Sequence, residues 1–138
     1  MKPDVEEAIK GLEASGISTG VRAEADSDGG AYVIVDGVAI GSSFEPDAPW
    51  IGFHIVWSYP DADVYPHFMD ANVRYVGSGP APNQHAEGNL PTSLSRGATM
   101  GGYDLPAIQI SRRSNRRSAG TDSALQKLLR IVEFLRTR

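Results

Sequence analysis

The chain has no cysteine, which excludes disulfides, thiolate metal ligands and thiol chemistry anywhere in its 138 residues. It also lacks any apolar run near the ~20 residues that a membrane-spanning helix needs. The first ten residues, with Asp4, Glu6 and Glu7, have no apolar core segment. No signal peptide is expected there, and the expected location is cytoplasmic with no membrane partner. Basic side chains are scarce in one half: residues 1–69 hold 3 basic and 12 acidic groups, residues 70–138 hold 10 and 5. The net charge of −4 thus conceals two opposed fields. Hydrophobic residues at 41% and charged residues at 22% are near globular averages, so one folded domain over 1–138 is expected rather than a disordered chain.

Periodicity then sets the expected elements. Val5, Ala8, Ile9 and Leu12 recur at helical steps within Asp4 to Ser15, and Gly16 is placed to stop that helix. From Thr19 to Trp57 the pattern becomes extended. Val21 to Ala25 alternates, Ser27-Asp28-Gly29-Gly30 signals a turn, and Ala31 to Ile40 reads as a strand or a tight hairpin over Asp36-Gly37. In Trp50 to Trp57, Ile51, Phe53, Ile55 and Trp57 share one face by period-two alternation. Tyr59-Pro60 through Tyr65-Pro66 breaks the strand, and Asn72 to Val76 reads as a fourth, shorter one.

Gly77 to Asp104 holds six glycines and three prolines in 28 positions and is expected to be a long irregular segment, a candidate site margin. Leu105 to Ile110 is a brief apolar stretch before a polar, arginine-rich run. Thr121 or Asp122 is the expected cap of a last helix with Leu125, Leu128, Leu129, Val132 and Leu135 in a stripe, and Lys127, Arg130 and Glu133 on the opposite face. The fold class that follows is α+β: an N-terminal helix, a four-stranded antiparallel meander, a long irregular segment and a C-terminal helix in two layers.

In this order of elements, Tyr59-Pro60, then Tyr65-Pro66-His67-Phe68, then Val73-Arg74-Tyr75 resembles the ubiquitin-conjugating-enzyme family. That family ends its third strand in an aromatic-proline pair followed shortly by a Tyr-Pro. The late segment Ile108-Gln109-Ile110-Ser111-Arg112-Arg113-Ser114-Asn115 before a terminal helix is similar to divergent bacterial members from ubiquitin-like modification operons. The resemblance implies a conjugating-enzyme fold, a ubiquitin-like protein and an activating enzyme as partners, and hints at bacterial defence. It implies no cofactor on this chain, since ATP would be consumed by the partner.

The resemblance also places Ser111 about where relatives keep their cysteine, with Ser114 the next possibility. An alcohol has a far higher pKa than the ~8.5 of a thiol and needs a base or strong electrostatic help. The family's His-Pro-Asn motif is absent, and Pro82-Asn83 is its nearest fragment, which makes Asn83 the candidate oxyanion group. Asp104 is the candidate acidic residue near the site, while Asp122 reads more simply as a helix cap. Arg112, Arg113, Arg116 and Arg117 put four guanidinium groups in six positions, able to hold an oxyanion or grip an acidic partner; without aromatic neighbours they argue only weakly for nucleic acid.

Ser111 equally reads as an ordinary serine that turns the chain out of a strand. His54 lies opposite Ile51 and Phe53 and reads as structural, His67 falls where the family places packing residues, and His85 could reach Ser111 as a base. Their spacing predicts no metal site, and Gly97 to Gly102 lacks the ending of a phosphate loop. Two functions stay open: transfer of a ubiquitin-like protein through a serine oxyester, or a catalytically silent module that binds one. A third reading is an α+β adaptor unrelated to ubiquitin-like proteins.

Overall fold

The computed structural model describes residues 1–77, 90–114 and 123–138. Helix α1, Pro3–Ala14, begins with a proline whose missing N–H costs nothing in a first turn, and Asp4 and Glu6 there complement the helix dipole. Gly16, at φ +71°, leads the chain away where a side chain would be strained. Val5, Ala8, Ile9 and Leu12 form the buried face, as their spacing predicted.

The main sheet is antiparallel and has six strands in the order β1-β2-β4-β5-β8-β7: Gly20–Ala25, Ala31–Asp36, Ile51–Ile55, His67–Asp70, Leu105–Ile110 and Leu94–Met100. A separate two-stranded ladder joins β3, Phe44–Glu45, to β6, Arg74–Tyr75. Helix α2, Ala124–Arg136, starts from a capping box in which Ser123 Oγ accepts from the Gln126 amide and Gln126 Oε1 accepts from the Ser123 amide. The α+β class, both helices and an antiparallel sheet stand as expected, but the sheet has six strands in a non-sequential order rather than a four-stranded meander.

Several details differ from the expectation. The fourth strand of the sheet is His67–Asp70 rather than Asn72 to Val76, because Pro66 precedes the strand and leaves its ladder donors intact. Residues 74 and 75 pair with β3 instead. The segment 77–104 is not irregular throughout: it contains β7, which pairs with Leu105–Ile110 and makes that stretch an interior strand. The cap of α2 is Ser123; Thr121 and Asp122 lie outside the described residues.

One face of the sheet carries Val33, Val35, Ile51, Phe53, Ile55, Met69, Ile108 and Ile110, all fully buried in the same core as the inner faces of α1 and α2. Full burial of each such side chain stabilises by about 1.5–3 kcal/mol. Trp57 does not join them: β4 ends at Ile55 and the indole is 59% exposed. The opposite face has a smaller cluster of Ile34, Met100 and Ala107, flanked by Tyr32, Trp50, Phe68 and Tyr103. The β7–β8 turn closes over it, with Gly102 at φ +82° so near the Tyr32 ring that a Cβ there would collide.

The margins of the sheet are β1 and β7. Arg22 and Glu24 stand exposed on β1, and Arg22 forms a two-point ion pair with Asp36 at 2.9 Å on both arms. The other margin, β7, loses its register between Ser95 and Ala98, beside Gly97 at φ +85°.

Candidate functional site

Ser111 follows directly on β8, beside the strand pair in which His67 faces Ile110. Its backbone N–H donates to the Ser93 carbonyl at 2.8 Å, extending the β7–β8 pairing by one residue. The half-buried hydroxyl accepts from Gln109 Nε2 at 3.1 Å. No carboxylate, imidazole or amine bonds to it among the described residues. Among those residues nothing is placed to take the proton of this hydroxyl.

Ser114 has a different setting. Lys127 Nζ donates to its Oγ at 2.7 Å, and that hydroxyl donates to Asp63 Oδ1 at 3.2 Å. Asp63 also accepts from the Ser114 backbone N–H at 3.0 Å and from Lys127 Nζ at 2.9 and 3.1 Å. Burial pushes the Asp63 carboxyl up, but the Ser114 amide, the Lys127 ammonium and the Ser114 hydroxyl outweigh it and hold the carboxyl below its ordinary value. Lys127 is only 4% exposed, on the inner face of α2 between Ala124 and Ile131, not on the outer face where its charge suggested.

His67 borders this cluster. It is fully buried, its ring centroid is 5.1 Å from that of Phe53, and neither ring nitrogen has a partner among the described residues. Burial, aided by the Lys127 charge and opposed by Asp63, pushes its pKa down to about 3, so it is neutral at ordinary pH. The packing role expected for His67 agrees with this burial. His54 lies on the other face of the sheet, stacked on Tyr32 at 4.3 Å, with Nε2 2.6 Å from Asp26.

Neither Arg112 nor Arg113 bonds to the Ser111 hydroxyl. Arg112 lies over the Phe134 ring of α2 at 4.3 Å, whereas Arg113 lies over the Tyr65 ring ahead of β5 at 4.0 Å. Asp104 is exposed in the β7–β8 turn, at the far end of β8 from Ser111. A strand rise of roughly 3.3 Å per residue puts about 20 Å between them, so Asp104 cannot act on a group bound at Ser111. Asn83, His85, Asn115, Arg116 and Arg117 lie outside the described residues.

The sequence reading missed Asp63 and Lys127. A usable signal was present: on a helical wheel Lys127 falls with Ala124 and Ile131, a charge inside an apolar stripe that demands a buried partner. The Tyr-Pro region also does structural work beside the cluster, since the buried Tyr59 hydroxyl accepts from the Ala124 backbone N–H at 3.1 Å and so holds the first turn of α2.

A cleft of about 350 Å³ opens between α1 and the start of α2, lined by Asp4, Glu7, Tyr59, Pro60 and Leu125 among others, and by none of the expected site residues. Among the described residues no group of three or more His, Asp or Glu could hold a metal ion, and no helix is long and apolar enough to cross a membrane. Comparison with protein-family models, curated proteins and solved structures finds no match.

Proposed function

We propose that this domain serves ubiquitin-like protein conjugation as a conjugating-enzyme-like binding module. It would hold a ubiquitin-like protein supplied by an activating enzyme and position it without carrying the carbonyl on a nucleophile of its own. The observation that carries the reading is the Ser111 hydroxyl: at the position where the resemblance calls for a thiolate, it meets the Gln109 amide and, among the described residues, no base. The flanking Arg112 and Arg113 rest on aromatic rings, available to a partner's surface rather than aimed at a reacting oxygen.

A second reading, transfer through a serine oxyester, is favoured by Ser114. Its hydroxyl touches both an ammonium and a carboxylate. Attack on the partner's thioester would form the Ser114 oxyester, pass the hydroxyl proton to Asp63 and release the activating enzyme's thiol. Asp63 is a weak base for that step, because its neighbours lower its pKa.

Mixing the chain with an activating enzyme, its ubiquitin-like protein and ATP separates the two. The binding module yields a complex without a covalent adduct. A hydroxide-labile, thiol-resistant adduct that disappears in Ser114→Ala or Ser111→Ala establishes transfer instead. Absence of both complex and adduct sinks the connection to ubiquitin-like proteins.

A further inference from the structure

Phe134, near the C-terminal end of α2, is half-buried and carries two guanidiniums: Arg112 at 4.3 Å and Arg138 at 4.5 Å from the ring centroid. Stacking on an aromatic face orients a guanidinium plane and leaves its N–H edge free to bond in that plane. Arg138 spends Nε on the Phe134 carbonyl and one NH2 hydrogen on Thr137 Oγ1. Arg112 makes no hydrogen bond among the described residues. Neither forms an ion pair there, and the one carboxylate on α2, Glu133, is exposed and forms none either.

Two like charges on one ring repel each other. Two arginines elsewhere on the surface have carboxylates, Arg22 with Asp36 and Arg74 with Glu45, while Arg96 and Arg136 bond backbone carbonyls. Around Phe134 neither guanidinium is paired with a carboxylate side chain among the described residues, and both are exposed, so an anion supplied from outside would be gained at little desolvation cost.

We infer that Arg112, Phe134 and Arg138 form a docking clamp for an acidic, carboxylate-rich segment of a partner protein. The fork geometry of a guanidinium matches a carboxylate in two-point contact. Single-stranded nucleic acid is the poorer match, because it needs bare aromatic faces for base stacking, and here Phe134 and Tyr65 are covered by Arg112, Arg138 and Arg113. The chain's net charge of −4 also opposes a long polyanion more than a short acidic peptide. The clamp stands on this stacking geometry and is independent of whether the partner is ubiquitin-like.

The test is fluorescence anisotropy of a labelled glutamate-rich peptide titrated with the full chain at low salt. Exposed rim arginines act mainly through charge, so Arg112→Gln combined with Arg138→Gln is expected to weaken binding about tenfold or more. Phe134→Leu, which keeps an apolar contact but frees both guanidiniums, should lose part of the affinity. Arg74→Gln, remote and already paired, should change nothing. Unchanged peptide affinity in the double variant overturns the clamp. So does tighter binding of a single-stranded oligonucleotide through the same two arginines, or self-association of the wild-type chain that they abolish. Because both arginines are exposed, the double variant should keep its far-UV circular dichroism, and a lost fold would itself contradict the assigned role.

Discussion

Two aspartates tie this fold together from opposite faces of the sheet, and they do it with different partners. Asp63 meets the ammonium of Lys127 from α2, together with the amide and hydroxyl of Ser114. Asp26, after β1, meets the imidazole of His54 and the amides of Asp28 and Gly30. The hydrogen bond from His54 outweighs burial and, with the two amides, lowers the Asp26 carboxyl. The first cluster joins three segments distant in sequence; the second closes a local turn against a neighbouring strand. Loss of Asp63 strands the buried Lys127 ammonium, whereas loss of His54 leaves the buried Asp26 carboxylate still bonded to two backbone amides.

The sharpest way to break the comparison is Asp63→Ala. It strands an ammonium that is 4% exposed, and loss of one member of a buried pair costs about 3–5 kcal/mol. Urea denaturation should show that loss, and Lys127→Met added to Asp63→Ala should recover part of it, since no charge is then left unpaired.

Acid provides the next largest effect. His67 has its pKa pushed down to about 3, below the 6.5 of the unfolded chain. The unfolded state therefore takes up the proton first, and stability falls as pH drops through the window between those values. From pH 6 to pH 4 the loss is on the order of 2–3 kcal/mol, by linkage. Asp63 and Asp26 contribute stability above the ordinary carboxyl value of 3.8 that is lost only as pH falls below it. Unfolding measured across pH in His67→Phe should abolish the slope between pH 6 and 4 and keep the steep fall below it. A slope that survives the substitution would assign it to another group.

On the opposite face the effect is smaller. His54→Ala removes one charged hydrogen bond and the stack on Tyr32, for roughly 1–2 kcal/mol in thermal or urea unfolding. Ser111→Ala should stay within about 0.5 kcal/mol of the wild type, since its hydroxyl makes one half-buried bond to an amide. A cost near that of Asp63→Ala would mean Ser111 belongs to the same tied network.

The elements with a buried stripe were the legible ones. Val5, Ala8, Ile9 and Leu12, and likewise Ile51, Phe53 and Ile55, repeat at the period of the structure they form, because one face of each meets the core. Strand β7 was hidden for the opposite reason: as a margin strand it buries only Leu94 and Met100, so Ser95 to Thr99 carries no apolar alternation. The turn Gly101-Gly102-Tyr103-Asp104, with positive φ at Gly102 and Asp104, was its available signal.

Of the expected site, Ser111 and Ser114 came out in one short segment, but their chemistry was not readable from spacing. Asp63 lies 51 positions from Ser114 and 64 from Lys127. Pattern rules within a helix or strand do not reach that far.

The two rims of the sheet bear on how anything attaches to this protein. A flat, apolar outermost strand invites another chain to pair with it and grow into fibres. Here one rim displays opposite charges at Arg22 and Glu24, and the other is bent where Ser95 and Ala98 fall out of step. Recruitment by lengthening the sheet is thereby discouraged at both ends, which leaves side-chain surfaces such as the arginine-capped end of α2 as the route for specific contact.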